Sequence, residues 1–377
     1  MRFDLPTSWR HGRGFASQTA EVLRELGCSR TLLVTDRLLV EAGVVAPVTG
    51  SLDSQDIEYV VCDEVTTEPT VALFEGLVRT WDLAGFDSVL AVGGGSVIDA
   101  AKGLAVVAQF GGHIRDYAGF GTVPAPLGWK VVAVPTTAGT GSEISDGSVW
   151  IDEARHTKFL VLSTLICPTV AITDPLMTRS MPPHITANSG IDALTHAIES
   201  YLSVDASVAT EPFSLRAIEL IAGGLKRAHA DGDDLDAREA VQLGSTMAMM
   251  AGMNAHMGLC HALAMPLCGL YPLPHSEACG LVLPHVLEFN AAAVGAKVTD
   301  VFRALGMDDG DDTDASPYER LERFVRELGL NASLGALGYL EEHLEVIVRE
   351  TRNSVQFRFN PREASDEDLA RLVDRLI

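Results

Sequence analysis

Positive charge is scarce in this chain: 28 lysine and arginine residues stand against 51 aspartate and glutamate, a formal net charge of -23 at pH 7. That balance excludes nucleic acid and anionic membranes as partners, because both are bound through basic patches. No Lys- or Arg-rich run offsets it. Long apolar runs are missing too, none reaching the roughly 18 residues a membrane span needs. The amino end, Met1-Arg2-Phe3-Asp4-Leu5-Pro6, lacks the charged-then-apolar pattern of a secretion signal, so a cytoplasmic, soluble protein is expected. The six cysteines (Cys28, Cys62, Cys167, Cys260, Cys268, Cys279) include no CxxC pair, which in a chain of 377 residues points to reduced core thiols rather than disulfides. There is no internal repeat of the solenoid kind.

What is present is a chain long enough for two cores, with 47% hydrophobic and 21% charged residues, which excludes wholesale disorder. Up to about residue 180, short apolar runs alternate with helical patterns, as in an α/β domain whose parallel strands are joined by crossover helices. The expected strands are Thr31 to Val34, Ile57 to Cys62, Ser88 to Val92, Val131 to Pro135 and Thr169 to Thr173. The proline-rich stretch from Asp174 to Pro183 reads as a boundary, and beyond it helices take over: His184 to Leu202, Glu211 to Ala230, Arg238 to His256, Gly258 to Ala264 and Glu277 to Asn290. The expected organisation is therefore α/β, a Rossmann-like parallel-sheet domain over residues 1-180 followed by an all-helical domain over 181-377. The acidic run Asp308 to Asp314 reads as a solvated loop.

Three strand ends suit a nucleotide. Asp36 follows Thr31-Leu32-Leu33-Val34-Thr35, and an acid at that edge accepts hydrogen bonds from a ribose diol and repels a 2'-phosphate, favouring NAD over NADP. The run Ser88 to Val92 enters Gly93-Gly94-Gly95-Ser96, after which Val97 to Lys102 opens a helix. The glycines admit a pyrophosphate and the helix end offers free N–H groups. Ser96 and Asp99 have the spacing of a capping box. The GxGxxG fingerprint is absent. Beyond Val131 to Pro135, Thr136 and Thr137 add hydroxyls, and Lys158 is a further candidate for the ribose.

In Ser189-Gly190-Ile191-Asp192-Ala193-Leu194-Thr195-His196-Ala197-Ile198-Glu199, Asp192 and His196 are four apart and share a helix face, so carboxylate and imidazole can point at one ion. Ile191, Leu194 and Ile198 make the adjoining apolar stripe. His261 sits late in an apolar helix that Pro266 should kink or end, and His275 follows a Pro/Gly turn that lets the chain double back. One Asp and three His form an N/O set suited to Fe(II) or Zn(II) with a position left for substrate, so residues 1-180 are expected to bind a dinucleotide and 181-377 to be the metal-binding catalytic domain.

Taken together, Gly93-Gly94-Gly95-Ser96 with Asp99, Pro135 to Thr140, Asp192-Ala193-Leu194-Thr195-His196, the His261 to His275 block and Asn360-Pro361-Arg362 resemble the iron-containing, or group III, alcohol dehydrogenases along nearly the whole chain. The resemblance implies metal ligands Asp192, His196, His261 and His275, which are also the catalytic centre, and cofactor contacts Asp36, Gly94, Gly95, Thr136, Thr137 and Lys158. It implies an NAD(P)(H)-dependent alcohol dehydrogenase or aldehyde reductase working as a homodimer on a small primary alcohol or aldehyde, including aldehydes that carry an anionic group such as phosphonate. One position departs from the family: many members have a further histidine four residues after the third ligand, where this chain has Met265, which cannot move a proton. His256, five residues before His261, falls on a different helical face. A metal-dependent lyase of the dehydroquinate synthase type is the alternative, but a site for a polyanionic sugar acid should carry several Lys and Arg, and these motifs have almost none. The pattern of two His and a carboxylate also occurs in non-haem iron oxygenases, which need neither a fourth ligand nor nucleotide loops.

Overall fold

The computed structural model describes residues 3–66, 68–155, 157–308 and 315–377. The acidic run lies outside these residues from position 309 to 314. Two compact units divide the chain, Asp4–Met181 and Pro182–Ile377 joined by Phe3. No helix among the described residues is long and apolar enough to cross a membrane.

In chain order the first unit carries strands β1 (Ser8–His11), β2 (Arg30–Val34), β3 (Glu58–Cys62), β4 (Ser88–Gly93), β5 (Gly119–Phe120), β6 (Lys130–Pro135), β7 (Gly147–Asp152), β8 (Thr157–Leu162) and β9 (Val170–Thr173). Six form an all-parallel sheet in the order β1-β9-β6-β4-β2-β3. Its strands alternate between two cores: Leu32, Val34, Val89, Ala91, Val131 and Ala133 enter one, and Leu33, Leu90, Val92, Val132 and Val134 the other. Burial of both faces explains why these strands read as unbroken apolar runs rather than alternating patterns.

Four strands lie outside the sequence expectation. β1 (Ser-Trp-Arg-His) has no apolar run and pairs only at the edge of the sheet, with β9. β5, β7 and β8 form a separate three-stranded sheet, in which β7 buries Ser148, Trp150 and Asp152 on one face. The expected capping box is also absent, because the helix Gly95–Phe110 starts one residue before Ser96, its N-cap is Gly94, and no side chain caps it.

In the second unit only helices are found among the described residues. Pro183–Leu202 is its hub, packed by Glu211–Ala230, Leu235–Ala255 and His275–Val294. The apolar stripe of the sequence understates this helix: every residue from Gly190 to Leu202 is buried, since neighbours cover all its sides. Gly190 permits the closest crossing; a Cβ there would lie 2.2 Å from Leu225 Cδ1. Met249, Met250 and Met253 are buried on Leu235–Ala255, as packing residues would be.

Two expectations about His261 need correction. His261 is the third residue of the helix Leu259–Leu270, near its start rather than its end, because the preceding helix stops at Ala255 and His256 turns to φ 63°. Pro266 does not end that helix, which runs through it to Leu270. A single proline removes one N–H bond, and the buried packing of Leu263, Ala264 and Leu267 holds the rest.

Candidate functional site

Three helices of the second unit converge on one carboxylate oxygen. Asp192 Oδ1 lies 3.9 Å from His196 Nε2, 3.7 Å from His261 Nε2 and 4.0 Å from His275 Nε2. Asp192 and His196 come from successive turns of Pro183–Leu202, His261 from the first turn of Leu259–Leu270, and His275 opens the helix His275–Val294. The imidazoles of His196 and His261 stack with centroids 4.7 Å apart. The side chains of Asp192, His196 and His261 are 5–8% exposed and that of His275 29%, so the cluster meets solvent on the His275 side.

The chemistry of these atoms fits a divalent cation. Asp192 Oδ1 and His261 Nε2 are buried without a hydrogen-bond partner among the described residues, as is His196 Nδ1. Unpaired polar atoms of this kind cost about 1–3 kcal/mol each. Ligand bonds of about 2.0–2.3 Å in a tetrahedron set donors roughly 3.3–3.8 Å apart, and the three separations from Asp192 Oδ1 need only slight contraction. Burial holds the His196 imidazole well below its ordinary pKa, at about 4, so it is the neutral ligand form at physiological pH. Burial opposes ionisation of Asp192, but His196, His261 and His275 outweigh it and hold the carboxyl far below its usual range. Burial likewise works against charged His261, yet Cys279, Asp192 and Glu199 raise it well above its ordinary value. The pocket's electrostatics favour positive charge.

Glu199 completes the centre and was not singled out from the sequence. One helical turn beyond His196, its buried carboxylate accepts the Cys260 N–H at 2.5 Å and, through the other oxygen, the His261 N–H at 3.3 Å and His261 Nδ1 at 2.5 Å. A proton on Nδ1 leaves the Nε2 lone pair facing Asp192, the tautomer a metal requires. Asn360, in the closing motif, supports the same helix start. Its Oδ1 accepts Leu259 N–H at 3.3 Å, and its side chain exchanges hydrogen bonds with Asn290 at 2.8 and 2.9 Å. Arg362 anchors the motif by donating to Phe289 O at 2.6 Å. A Cβ on Gly258 would come within 3.1 Å of Asn360 Oδ1, which is why that junction takes glycine.

Met265 is 37% exposed. His256 stacks on Phe359 with centroids 4.2 Å apart and faces Asp205 at 3.8 Å.

In the first unit, β2, β4 and β6 are adjacent, so their carboxyl ends bring Asp36, Gly93 to Ser96, Thr136 and Thr137 to one edge. The chain moves from β2 out to β3 and returns to β4 on the other side of β2, the switch point where doubly wound sheets hold nucleotides. Thr35 fixes the first loop by donating N–H to Cys62 O and its hydroxyl to Val92 O. Asp36 Oδ1 caps the next helix through Leu38 N–H at 2.7 Å, leaving further acceptor capacity on the carboxylate. The two other loops touch directly. Thr136 N–H donates to Gly93 O, and a Cβ on Gly95 would lie 2.7 Å from Thr140 Oγ1. The N–H groups of Gly95 and half-buried Ser96 precede the first N–H groups bonded within their helix, those of Val97 and Ile98, which both donate to Gly94 O.

Asp99 and Lys158 are placed differently. Asp99 is buried, accepts Val149 N–H at 2.8 Å and lies 3.9 Å from Lys102 Nζ. Lys102, fully buried, donates to Ser145 O, Ser145 Oγ and Gly147 O, bracing the far end of the threonine loop. Lys158 lies on β8 in an ion pair with Glu68 at 2.6 Å.

The family description iron-containing alcohol dehydrogenase matches residues 6–175, and the C-terminal description of the Fe-containing alcohol dehydrogenase family matches residues 186–377. The chain belongs to the iron-containing alcohol dehydrogenase family. It is 32% identical over 375 residues to the NAD-dependent methanol dehydrogenase of Bacillus methanolicus, covering 98% of each chain. The crystal structure of a 1,3-propanediol oxidoreductase superposes with a TM-score of 0.91 at 33% identity, covering 100% of both chains. That of sulfoacetaldehyde reductase from Bifidobacterium kashiwanohense, in complex with NAD+, superposes with a TM-score of 0.89 at 28% identity, covering 100% of this chain and 98% of that one. Membership makes this iron-containing alcohol dehydrogenase homologue an oxidoreductase of CH–OH donors, interconverting alcohols and aldehydes with a metal and a nicotinamide cofactor.

Proposed function

We propose that Asp192, His196, His261 and His275 hold one divalent ion, Fe(II) or Zn(II), at which a small aldehyde is reduced or a primary alcohol oxidised with NAD(H). The observation that carries this is the convergence of three imidazole Nε2 atoms within 4.0 Å of a single buried Asp192 oxygen that has no other partner among the described residues. When bound, such an ion supplies Lewis acidity towards the substrate oxygen, and the nicotinamide supplies or takes the hydride.

The chain's own groups do the rest. Glu199 holds His261 in the ligating tautomer, and the partly exposed His275 edge is the side on which substrate enters. Asp36 takes the adenosine ribose and disfavours a 2'-phosphate. The amides of Gly95 and Ser96 and the close approach allowed at Gly94 take the pyrophosphate, and Thr136 and Thr137 line the neighbouring strand end. Asp99 acts from behind the loop as a brace, and Lys158 reaches a ribose only by exchanging Glu68 for it. With Met265 at the position of the family's extra histidine, proton exchange falls to water and the ribose hydroxyls. The sulfoacetaldehyde reductase among the structural relatives makes short anionic aldehydes worth including as substrates. Six free cysteines suit the reducing cytoplasm, and the family resemblance extends to a homodimer.

The test is metal content and NADH oxidation, measured together on anaerobically purified wild type, His261→Ala and His275→Ala with neutral and anionic short aldehydes. The proposal expects both variants to lose metal and turnover in parallel. Full turnover in a metal-free variant would overturn it.

A further inference from the structure

Cys279 lies one helical turn after His275 on His275–Val294 and is fully buried. Its Sγ is 3.7 Å from His275 Nε2. One ligand atom each from Asp192, His261, His275 and Cys279 lies within 4.8 Å of all the others. Of these residues, Asp192 and His261 each carry a buried atom, Oδ1 and Nε2, without a hydrogen-bond partner among the described residues.

We propose that Cys279 is a thiolate donor to the metal centre, so that the ion has an Asp192, His261, His275 and Cys279 set available beside the one containing His196. This rests on the metal reading above. The neighbouring thiols are placed otherwise: Cys260 donates its S–H to Cys279 O at 3.4 Å, and Cys268 faces His275 Nδ1, the ring nitrogen away from Asp192, at 4.0 Å. The step balances simply. The Sγ–H bond of Cys279 breaks, its proton passes to solvent, and the electron pair left on sulfur forms the bond to the cation, with no change in oxidation state. A sulfur donor shifts the preference of an N/O site towards zinc and away from Fe(II). The chain would thus select a different ion from the one its family is named for.

Cobalt(II) tests this, because a bound thiolate adds a near-ultraviolet sulfur-to-cobalt charge-transfer band to the visible d–d absorption that any ordered site produces. Metal-stripped full-length protein is titrated with Co(II) alone, as wild type and as Cys279→Ser and Cys279→Ala. The expected result is both absorptions in wild type and only the d–d absorption in the variants. The ratio of zinc to Fe(II) affinity should fall by about tenfold or more in the variants, the scale on which changes around a ligand set act. Wild-type d–d absorption without the near-ultraviolet band would overturn the Cys279 assignment and leave the four-ligand centre standing. A band persisting in both variants would also overturn it, by giving the thiolate to another cysteine. Failure of wild type to take up Co(II) at all would sink both.

Discussion

Glu199 is the residue through which the metal reading can be tested without touching a ligand. Its carboxylate accepts three N–H groups from the start of the His261 helix, with both oxygens used. Glu199→Gln keeps the shape but offers one acceptor oxygen and one NH2 group. Either Cys260 N–H or the pair from His261 must then face a donor. If the oxygen stays with Cys260, His261 is pushed to carry its proton on Nε2, where Asp192 and the ion would sit. Groups in this orienting position typically change metal affinity 10–100-fold, or about 1.4–2.8 kcal/mol. The leftover buried donors add a stability cost of about 1–3 kcal/mol. Competition with a chelator of known affinity, on samples shown folded by circular dichroism, measures the first quantity, and thermal unfolding of the metal-free protein the second. Wild-type affinity within twofold in a folded Glu199→Gln protein would refute the idea that this carboxylate sets the ligating tautomer.

Acid should strip the metal early. Because Cys279, Asp192 and Glu199 raise His261 against the effect of burial, protons compete for it above the ordinary histidine range. The apparent affinity for the ion is level at alkaline pH and falls as pH drops through the raised value, whereas His196, at about 4, does not compete near neutrality. Chelator competition between about pH 4 and 9 would contradict this if the apparent affinity began to fall only below the usual histidine range of about 6.5. Asp36→Ala should relax the preference for NADH over NADPH, read as the ratio of their kcat/KM values; an unchanged ratio would remove Asp36 from the cofactor site. Gly190→Ala places a methyl 2.2 Å from Leu225 Cδ1 in a fully buried crossing, and thermal unfolding should show a loss of about 1–3 kcal/mol.

The parallel sheet was legible because β2, β4 and β6 are apolar on both faces, and a run such as Ser88-Val-Leu-Ala-Val has no other use. β1 was not, since Ser-Trp-Arg-His becomes a strand only through its edge pairing with β9. Asp192 and His196 were readable from helix periodicity alone, which is a local signal. That His261 and His275 close on them depends on tertiary packing, which the Pro/Gly turn before His275 only permits and for which the family resemblance added the stronger signal. Pro266 misled as a helix stop because buried neighbours outweigh one lost hydrogen bond. Ser96 and Asp99 had capping spacing, but the helix begins on a glycine, where the dense contact with Thr140 leaves no room for a Cβ. Glu199 left a weak trace, a second carboxylate on the Asp192 helix, one turn beyond His196 and beside the apolar Ile198. Cys279, one turn after His275, left another.

The most direct test of the account is the metal bound by wild type and Asp192→Ala after both are stripped and dialysed against the same free zinc concentration. Asp192 Oδ1 is the atom all three imidazoles face. One equivalent per chain in wild type and none in a folded Asp192→Ala protein is the predicted result. One equivalent retained by the variant would contradict it, and would mean that Asp192 is not the donor on which the ion depends.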